Sequence, residues 1–352
     1  MPCGDLEVYL KFERRRISCK RCGKIRQETL SWLSDNPFYT KRFAIYVGQR
    51  CQEQSIKSVA EELRLDWKTV KELDKEYMKE QLVHAEECQP KCIGVDEISV
   101  KQGHEYRIVV SDLEKKRVIW FGGKDRSQAS MDEFYKSLGP DKNNEIRLIV
   151  MDMWKAFRES ARLFAPHAEV LYDKFHIIRH LGMALDEVRR REVSKLHGNE
   201  RKWIKGQRYT LLSRHENLDL PGKRALKELF RRNRRLNKAY LLKESFGQLW
   251  SYTYSGSARK FFDNWRDSLK RQRLKPYVDF AKMVDKHWDG IVSFCKPENK
   301  VSLGFVEGLN NKIRQIQRRA YGLRDEEYLR LKVLTCMLPS LKKLQNSAKL
   351  PT

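Results

Sequence analysis

The chain has 352 residues, enough for about two or three domains, and carries 72 Lys and Arg against 47 Asp and Glu, a formal net charge of +25. Its 40% hydrophobic and 11% aromatic content excludes general disorder, and no run reaches the roughly 18 apolar residues of a membrane span or the apolar stretch of a secretory signal. Eight cysteines scattered through such a chain read as reduced thiols or metal ligands, which makes the cytoplasm the expected compartment, and so much positive charge points to a polyanion, nucleic acid first.

In chain order, the first signal is Cys19-Lys20-Arg21-Cys22, half of a zinc site, since tetrahedral zinc takes four ligands. Cys3 is a lone further candidate, and residues 1–30 are expected to form a partial ribbon-like segment. Residues 55–78, SIKSVAEELRLDWKTVKELDKEYM, place Val59, Ala60 and Leu63 on one helical face, a turn at Arg64 to Asp66, and Val70 and Leu73 on a second helix. This is a helix-turn-helix pattern, set within 31–86. It puts Trp67, Lys68, Thr69 and Lys71 where side chains reach base edges in the major groove. The plainer reading is a helical hairpin packed in a core.

From 92 to 171 short runs rich in Val and Ile, CIGVDEISV, YRIVVSDL and RVIWFGG, read as three antiparallel strands. A helix over about 128–138, the strand IRLIVMD, a helix through Trp154 to Phe164 and the strand AEVLYD follow. The order βββαβαβα predicts a mixed α/β sheet covered by helices. Beyond about Arg179 the signal is helical. Residues 189–235 hold sixteen Lys or Arg against five Asp or Glu, with leucines and aromatics at helical spacing, and read as basic helices able to hold phosphates without sequence preference.

Two acids end apolar strands. Asp96 in GVDE and Glu97 beside it must face opposite ways, and Asp152 in IVMDMW stands at the carboxyl end of a buried strand, where open α/β sheets place their sites. The two meet if the first and fourth strands are neighbours. A third acid, Glu307, lies in GFVEGLNNKIRQIQRRAYG, which has helical periodicity. Three converging carboxylates suit hard divalent cations. Asp173 and His176 in YDKFH either face one another at the site or cap and pack beneath the helix they begin. Asn311 and Arg314 follow Glu307 along one helical face.

The runs GVDEISVKQGHEYRIVVSDLEKKRVIWFGG, VMDMWKAF, LYDKFHIIRHL and GFVEGLNNKIRQIQRRAYG, taken together, resemble the insertion-sequence DDE transposases of the ISL-three (ISL3) family. The resemblance extends from the helix-turn-helix to about Leu338. It implies a ribonuclease H-like catalytic core over 91–180 and 300–340, interrupted by a basic helical insertion over 181–299. It also implies Asp96, Asp152 and Glu307 as the catalytic, metal-binding acids with two Mg²⁺ or Mn²⁺ ions, and Asp173, His176 and Arg314 in auxiliary roles. Asn311, Lys312 and Arg314 would contact DNA. The implied activity is strand cleavage and strand transfer at terminal inverted repeats, on double-stranded transposon ends and target, by a homodimer or larger assembly on the nucleoid. The family usually carries an earlier cysteine pair, so the chain is expected to be short at its N-terminus, with Cys19 and Cys22 as remaining zinc ligands. Two other readings stay open: a non-catalytic helix-turn-helix DNA-binding regulator, such as a decayed transposase, and a ribonuclease H-like nuclease that cuts without joining.

Overall fold

The computed structural model describes residues 8–101, 105–301, 304–320 and 325–341. They fall into two compact units, one formed by residues 1–88, 116–122 and 307–352 and the other by 89–115 and 123–306.

The first unit begins with a hairpin of β1 (Arg16–Ser18) and β2 (Ile25–Gln27), with Cys19 and Cys22 in its turn. Three helices follow: α1 (Lys41–Glu53), α2 (Ile56–Leu63) and α3 (Trp67–Val83). Each start is fixed locally, because Thr40, Ser55 and Asp66 accept hydrogen bonds from the backbone N–H groups of Phe43, Ser58 and Lys68. Arg64 takes a left-handed conformation, φ 52°, that ends α2 and turns the chain into α3. Ala44, Val47, Cys51, Val59, Ala60, Val70 and Leu73 form the core of this trihelical module. At Gly48 an added Cβ would stand 2.2 Å from the Tyr77 ring, so only glycine lets α1 approach α3 this closely. The helix-turn-helix expected from the sequence is present. Two helices from the far end of the chain, α15 (residues 304–319, from residue 307 in this unit) and α16 (Glu326–Thr335), join it.

The sheet contains β3 (Cys92–Lys101), β4 (Glu105–Asp112), β5 (Arg117–Gly122), β6 (Leu148–Met151) and β7 (Glu169–Tyr172), in the order β5-β4-β3-β6-β7. β3 runs antiparallel to β4 and parallel to β6, and β6 runs parallel to β7. The α/β class with a mixed sheet is therefore as expected, and the first and fourth strands are neighbours. β6 is buried at every position, which explains its unbroken LIVM run. On one sheet face Cys92, Leu148, Val150 and Leu171 pack with Leu113 and Val306. A Cβ at Gly94 would come within 2.9 Å of Leu113 and 3.2 Å of Val306, so glycine admits both beneath the central strand.

Between the strands lie α4 (Gln128–Leu138), α5 (Pro140–Glu145) and α6 (Lys155–Phe164), and α7 (Lys174–Val193) follows β7. The short α5, PDKNNE, is additional to the expected order: Gly139 at φ +90° followed by proline at the first helical position starts it. α7 runs unbroken from 174 to 193, so the expected insertion boundary at 180 falls inside one continuous helix whose Ile177, Leu181, Ala184, Leu185 and Val188 form its buried stripe. Beyond it come α8 (Gly198–Gly206), α9 (Arg208–Leu212), α10 (Leu220–Arg232), α11 (Arg234–Phe246), α12 (Ser255–Ser268), α13 (Lys275–Lys286) and α14 (Trp288–Val292). They surround an aromatic core in which Phe246, Trp265 and Phe280 meet with ring centroids 5.0 to 6.0 Å apart. The buried Lys243 ammonium is satisfied by the Leu211 and Ser213 carbonyls at 3.1 and 2.6 Å and by Glu244 at 2.8 Å, a structural role.

Candidate active site

The register of three parallel strands positions the acids. Gly94 pairs with Val150 and Val150 with Leu171, making one row across β3, β6 and β7. Side chains two residues further along each strand return to the same face. Those residues are Asp96, Asp152 and Asp173, so three carboxylates line the carboxyl end of the sheet directly beyond its apolar face. β3, which carries Asp96, and β6, which leads into Asp152, are neighbours, the condition under which the sequence expects these two acids to meet. Asp173 joins them while also accepting a hydrogen bond from the Phe175 N–H at 2.9 Å, so it caps α7 and belongs to the row.

His176 lies in the first turn of α7, with Nδ1 3.2 Å from Asp152 Oδ2. It thus reaches Asp152 instead of packing beneath its own helix. Asp152 also accepts from the Met153 N–H at 2.6 Å, and Asp96 from the Glu97 N–H at 2.8 Å. Burial works against the Asp152 charge, but the His176 bond and charge prevail and hold its carboxyl below the ordinary value. Burial likewise pulls the His176 imidazole down, while Asp152, Asp96 and Asp173 raise it on balance. Asp173 is lifted by burial and by the charges of Asp96 and Asp152, and Glu97 by burial and by Asp96. The acids therefore share one negative field in which His176 is hydrogen-bonded to Asp152, while His180 also helps to hold the Asp152 charge.

Oxygen donors of this kind suit Mg²⁺ or Mn²⁺. Among the described residues, however, no group of three His, Cys, Asp or Glu side chains stands close enough to hold an ion. The row fits a hard cation in donor chemistry and does not by itself close a cage. Cys19 and Cys22 offer two of the four donors a structural zinc needs, and nothing among the described residues adds a third; Cys3 lies outside the described residues.

Around the acids stand groups that the sequence motifs did not single out. Trp154, two residues beyond Asp152, is 43% exposed and donates its Nε1–H to the Arg126 carbonyl at 2.7 Å. The Arg126 guanidinium lies 3.8 Å from the Tyr106 ring centroid and 3.1 Å from Glu97. Phe175, 53% exposed, meets the His176 ring edge to face at 5.6 Å. For Trp154, an aromatic in the loop directly after a buried strand was the available signal; Phe175, inside the first turn of α7, carried none.

The remaining sequence-derived residues lie in the first unit. Trp67 and Lys68 are exposed at the start of α3, and Thr69 is half-buried. Lys71 is engaged: its ammonium stands 2.6 Å from Asp325, which also holds Lys75 at 3.0 Å. Glu307, Asn311, Lys312 and Arg314 are exposed on α15, with Arg314 donating to Asn311 Oδ1 at 3.2 Å. Trp67, Lys57, Ser55, Lys312, Gln315 and Arg319 line a cleft of about 1390 Å³ within this unit. No helix among the described residues is long and apolar enough to cross a membrane.

A helix-turn-helix and a mixed sheet ending in a row of acids define the class of DDE-type transposases. Residues 93–333 match the family model described as a transposase of the ISL3 type, and residues 28–78 match the helix-turn-helix domain of transposase family ISL3. The chain belongs to the ISL3 family of transposases. It is 32% identical to the transposase for insertion sequence element IS1001 of Bordetella parapertussis, over 95% of this chain and 82% of that protein. It is 26% identical to the transposase for insertion sequence element IS1557 of Mycobacterium tuberculosis, over 93% of this chain and 78% of that protein.

Proposed function

We propose that the chain is an active DNA transposase that binds the terminal inverted repeats of its element, cleaves strands there with a divalent cation and transfers them to target DNA. The observation that carries this reading is the row formed by Asp96 on β3 with Asp152 and Asp173 directly beyond the ends of the adjacent parallel strands β6 and β7, and with His176 on Asp152. Asp96 and Asp152 would hold Mg²⁺ or Mn²⁺, with Glu307 as the third acid. Such ions, when bound, activate a water or 3′-hydroxyl and stabilise the leaving oxygen of an in-line displacement. His176 keeps one Asp152 oxygen oriented and Met153 N–H fixes the other, leaving little freedom for that carboxylate to rotate away. Asp173 and His176 act beside the reacting phosphate, and Arg314 with Asn311 and Lys312 would contact the strand next to it. Trp67, Lys68 and Thr69 would read bases, and the basic helices of the insertion would hold phosphates. The reading includes a homodimer or larger assembly, since two ends must be held together, working on nucleoid DNA in the cytoplasm.

The test is a cleavage and joining assay on DNA flanking the gene, with Mg²⁺ or Mn²⁺. Metal-dependent nicking followed by joining supports the transposase. Cutting without joining would point to a nuclease, and binding without cutting to a regulator.

Lys71 gives a separate prediction. Burial works against the Asp325 charge, but Lys71 and Lys75 hold its carboxyl far below the ordinary range, so the ion pair persists at any neutral pH. Asp325→Asn should free Lys71 for a phosphate, tighten DNA binding at low salt and steepen the slope of log K against log salt by about 1. An unchanged slope would show that Lys71 does not face DNA.

A further inference from the structure

We infer that Trp154 and Phe175 form a stacking site for an unpaired nucleobase beside the acid row, so that the DNA end is bound with a base out of its duplex stack. The inference rests on the proposed transposase reading and goes beyond it, since neither ring belongs to the acids or to the helix-turn-helix.

Three observations carry it. Both rings are large, apolar and exposed, 43% for Trp154 and 53% for Phe175, where burying them would have been favourable. Both are mounted on the site itself: Trp154 follows Asp152 by two residues, and Phe175 follows Asp173 by two and touches His176 edge to face. And both are held. The Trp154 indole is fixed through its Nε1–H to the Arg126 carbonyl at 2.7 Å, and the Arg126 guanidinium is itself fixed by Tyr106 and Glu97. The Phe175 ring rests edge to face on the His176 ring at 5.6 Å, and its backbone is anchored through its N–H to the Asp173 carboxylate at 2.9 Å. A rigid exposed ring loses little conformational entropy when it binds.

The ligand follows from the chemistry. A phosphate engaged by Asp96 and Asp152 through a cation brings its own nucleotides within reach of side chains two residues away. The apolar π-face that complements an indole or phenyl ring there is that of a base, and every base has one, so stacking needs no particular sequence. In an intact duplex those faces are covered by neighbouring bases. Stacking on Trp154 or Phe175 therefore requires a base that is unpaired or has been swung out, at an unstacking cost that is lowest for a mismatched or already single-stranded position.

The test compares equilibrium binding of the full chain to two fluorescein-labelled duplexes bearing the DNA that flanks the gene, one fully paired and one with a short unpaired stretch at the cleavage position. Wild type should bind the unpaired form about ten-fold or more tightly, as loss of one aromatic–base stack implies. Trp154→Ala and Phe175→Ala should each reduce that preference several-fold while leaving affinity for the paired duplex near wild type, and Trp154→Phe should retain most of it. A variant that loses fold or general DNA affinity weakens both duplexes alike and leaves the ratio unchanged, so the ratio reads stacking alone. Wild type with no preference, or alanine variants with the full preference, would overturn the inference. Asp152→Ala should keep the preference and lose cutting. A wild type that shows the preference but never cuts would therefore sink the transposase chemistry and leave the stacking site standing.

Discussion

Asp152→Ala should lower strand cleavage by about 10³-fold or more while leaving affinity for the DNA ends near wild type. The removed carboxylate occupies the middle of the row, between Asp96 on β3 and Asp173 just beyond β7, and is the one that His176 holds. An acid that positions a cation at the reacting phosphate accounts for several kcal/mol of transition-state stabilisation, and each 1.4 kcal/mol is about ten-fold in rate. Binding should survive for two reasons. The helix-turn-helix belongs to the other unit and has its own core, and removing a negative charge beside a phosphate works in favour of association. His176→Ala should be milder, about 10- to 100-fold, because it orients Asp152 without replacing it. Single-turnover cleavage in Mg²⁺ beside a mobility-shift titration separates the two quantities. Cutting by Asp152→Ala at the wild-type rate would remove Asp152 from the site.

The contrast between these acids and the rest of the molecule shows what a sequence reveals. Asp96 and Asp152 were legible because each is the first acid after an apolar run, and because strands alternate faces, so that only one of Asp96 and Glu97 can join a given site, although β3 continues past Asp96 to Lys101 instead of ending there. Asp173 was harder. Its role as helix cap is local and visible, but its place in the row depends on the Val150–Leu171 register between β6 and β7, which no spacing within the segment specifies. Trp154 and Phe175 had no periodicity to mark them. Lys71 shows the converse: its place at the head of α3 suggested a free base reader, whereas Asp325, distant in sequence, takes its ammonium. The five-stranded sheet and helix-turn-helix came from patterns with a range of a few residues. Pairs closed across hundreds of residues leave no such pattern, and they are found only when the fold brings them together.

Lys332→Met should destabilise the helix-turn-helix unit by about 3–5 kcal/mol, the largest stability effect expected from a single substitution in it. Asp74 on α3 is fully buried and receives Lys332 at 2.6 Å and the Tyr328 hydroxyl at 2.5 Å, both from α16. Lys332 also donates to the Cys51 carbonyl at 3.0 Å, which ties the end of α1 to the same cluster. Burial drives the Asp74 carboxyl upward, and Lys332 and Tyr328 act against that rise. Without the ammonium, the carboxyl must either stay charged in an apolar setting or take up a proton. The sign of the pH dependence follows. A group whose folded-state pKa is raised above its unfolded value binds more protons when folded, so stability is retained below the unfolded carboxylate range and lost as pH rises through the raised folded value. The variant should therefore be nearest to wild type in acid and fall further behind as the solution is made neutral. Replacing both partners, Asp74→Leu with Lys332→Met, removes the stranded charge and should recover most of the loss. Urea unfolding of the full chain at acidic and neutral pH measures both effects. A pH-independent deficit, or a double variant as weak as the single one, would mean that the cluster contributes through packing and not through the paired charge.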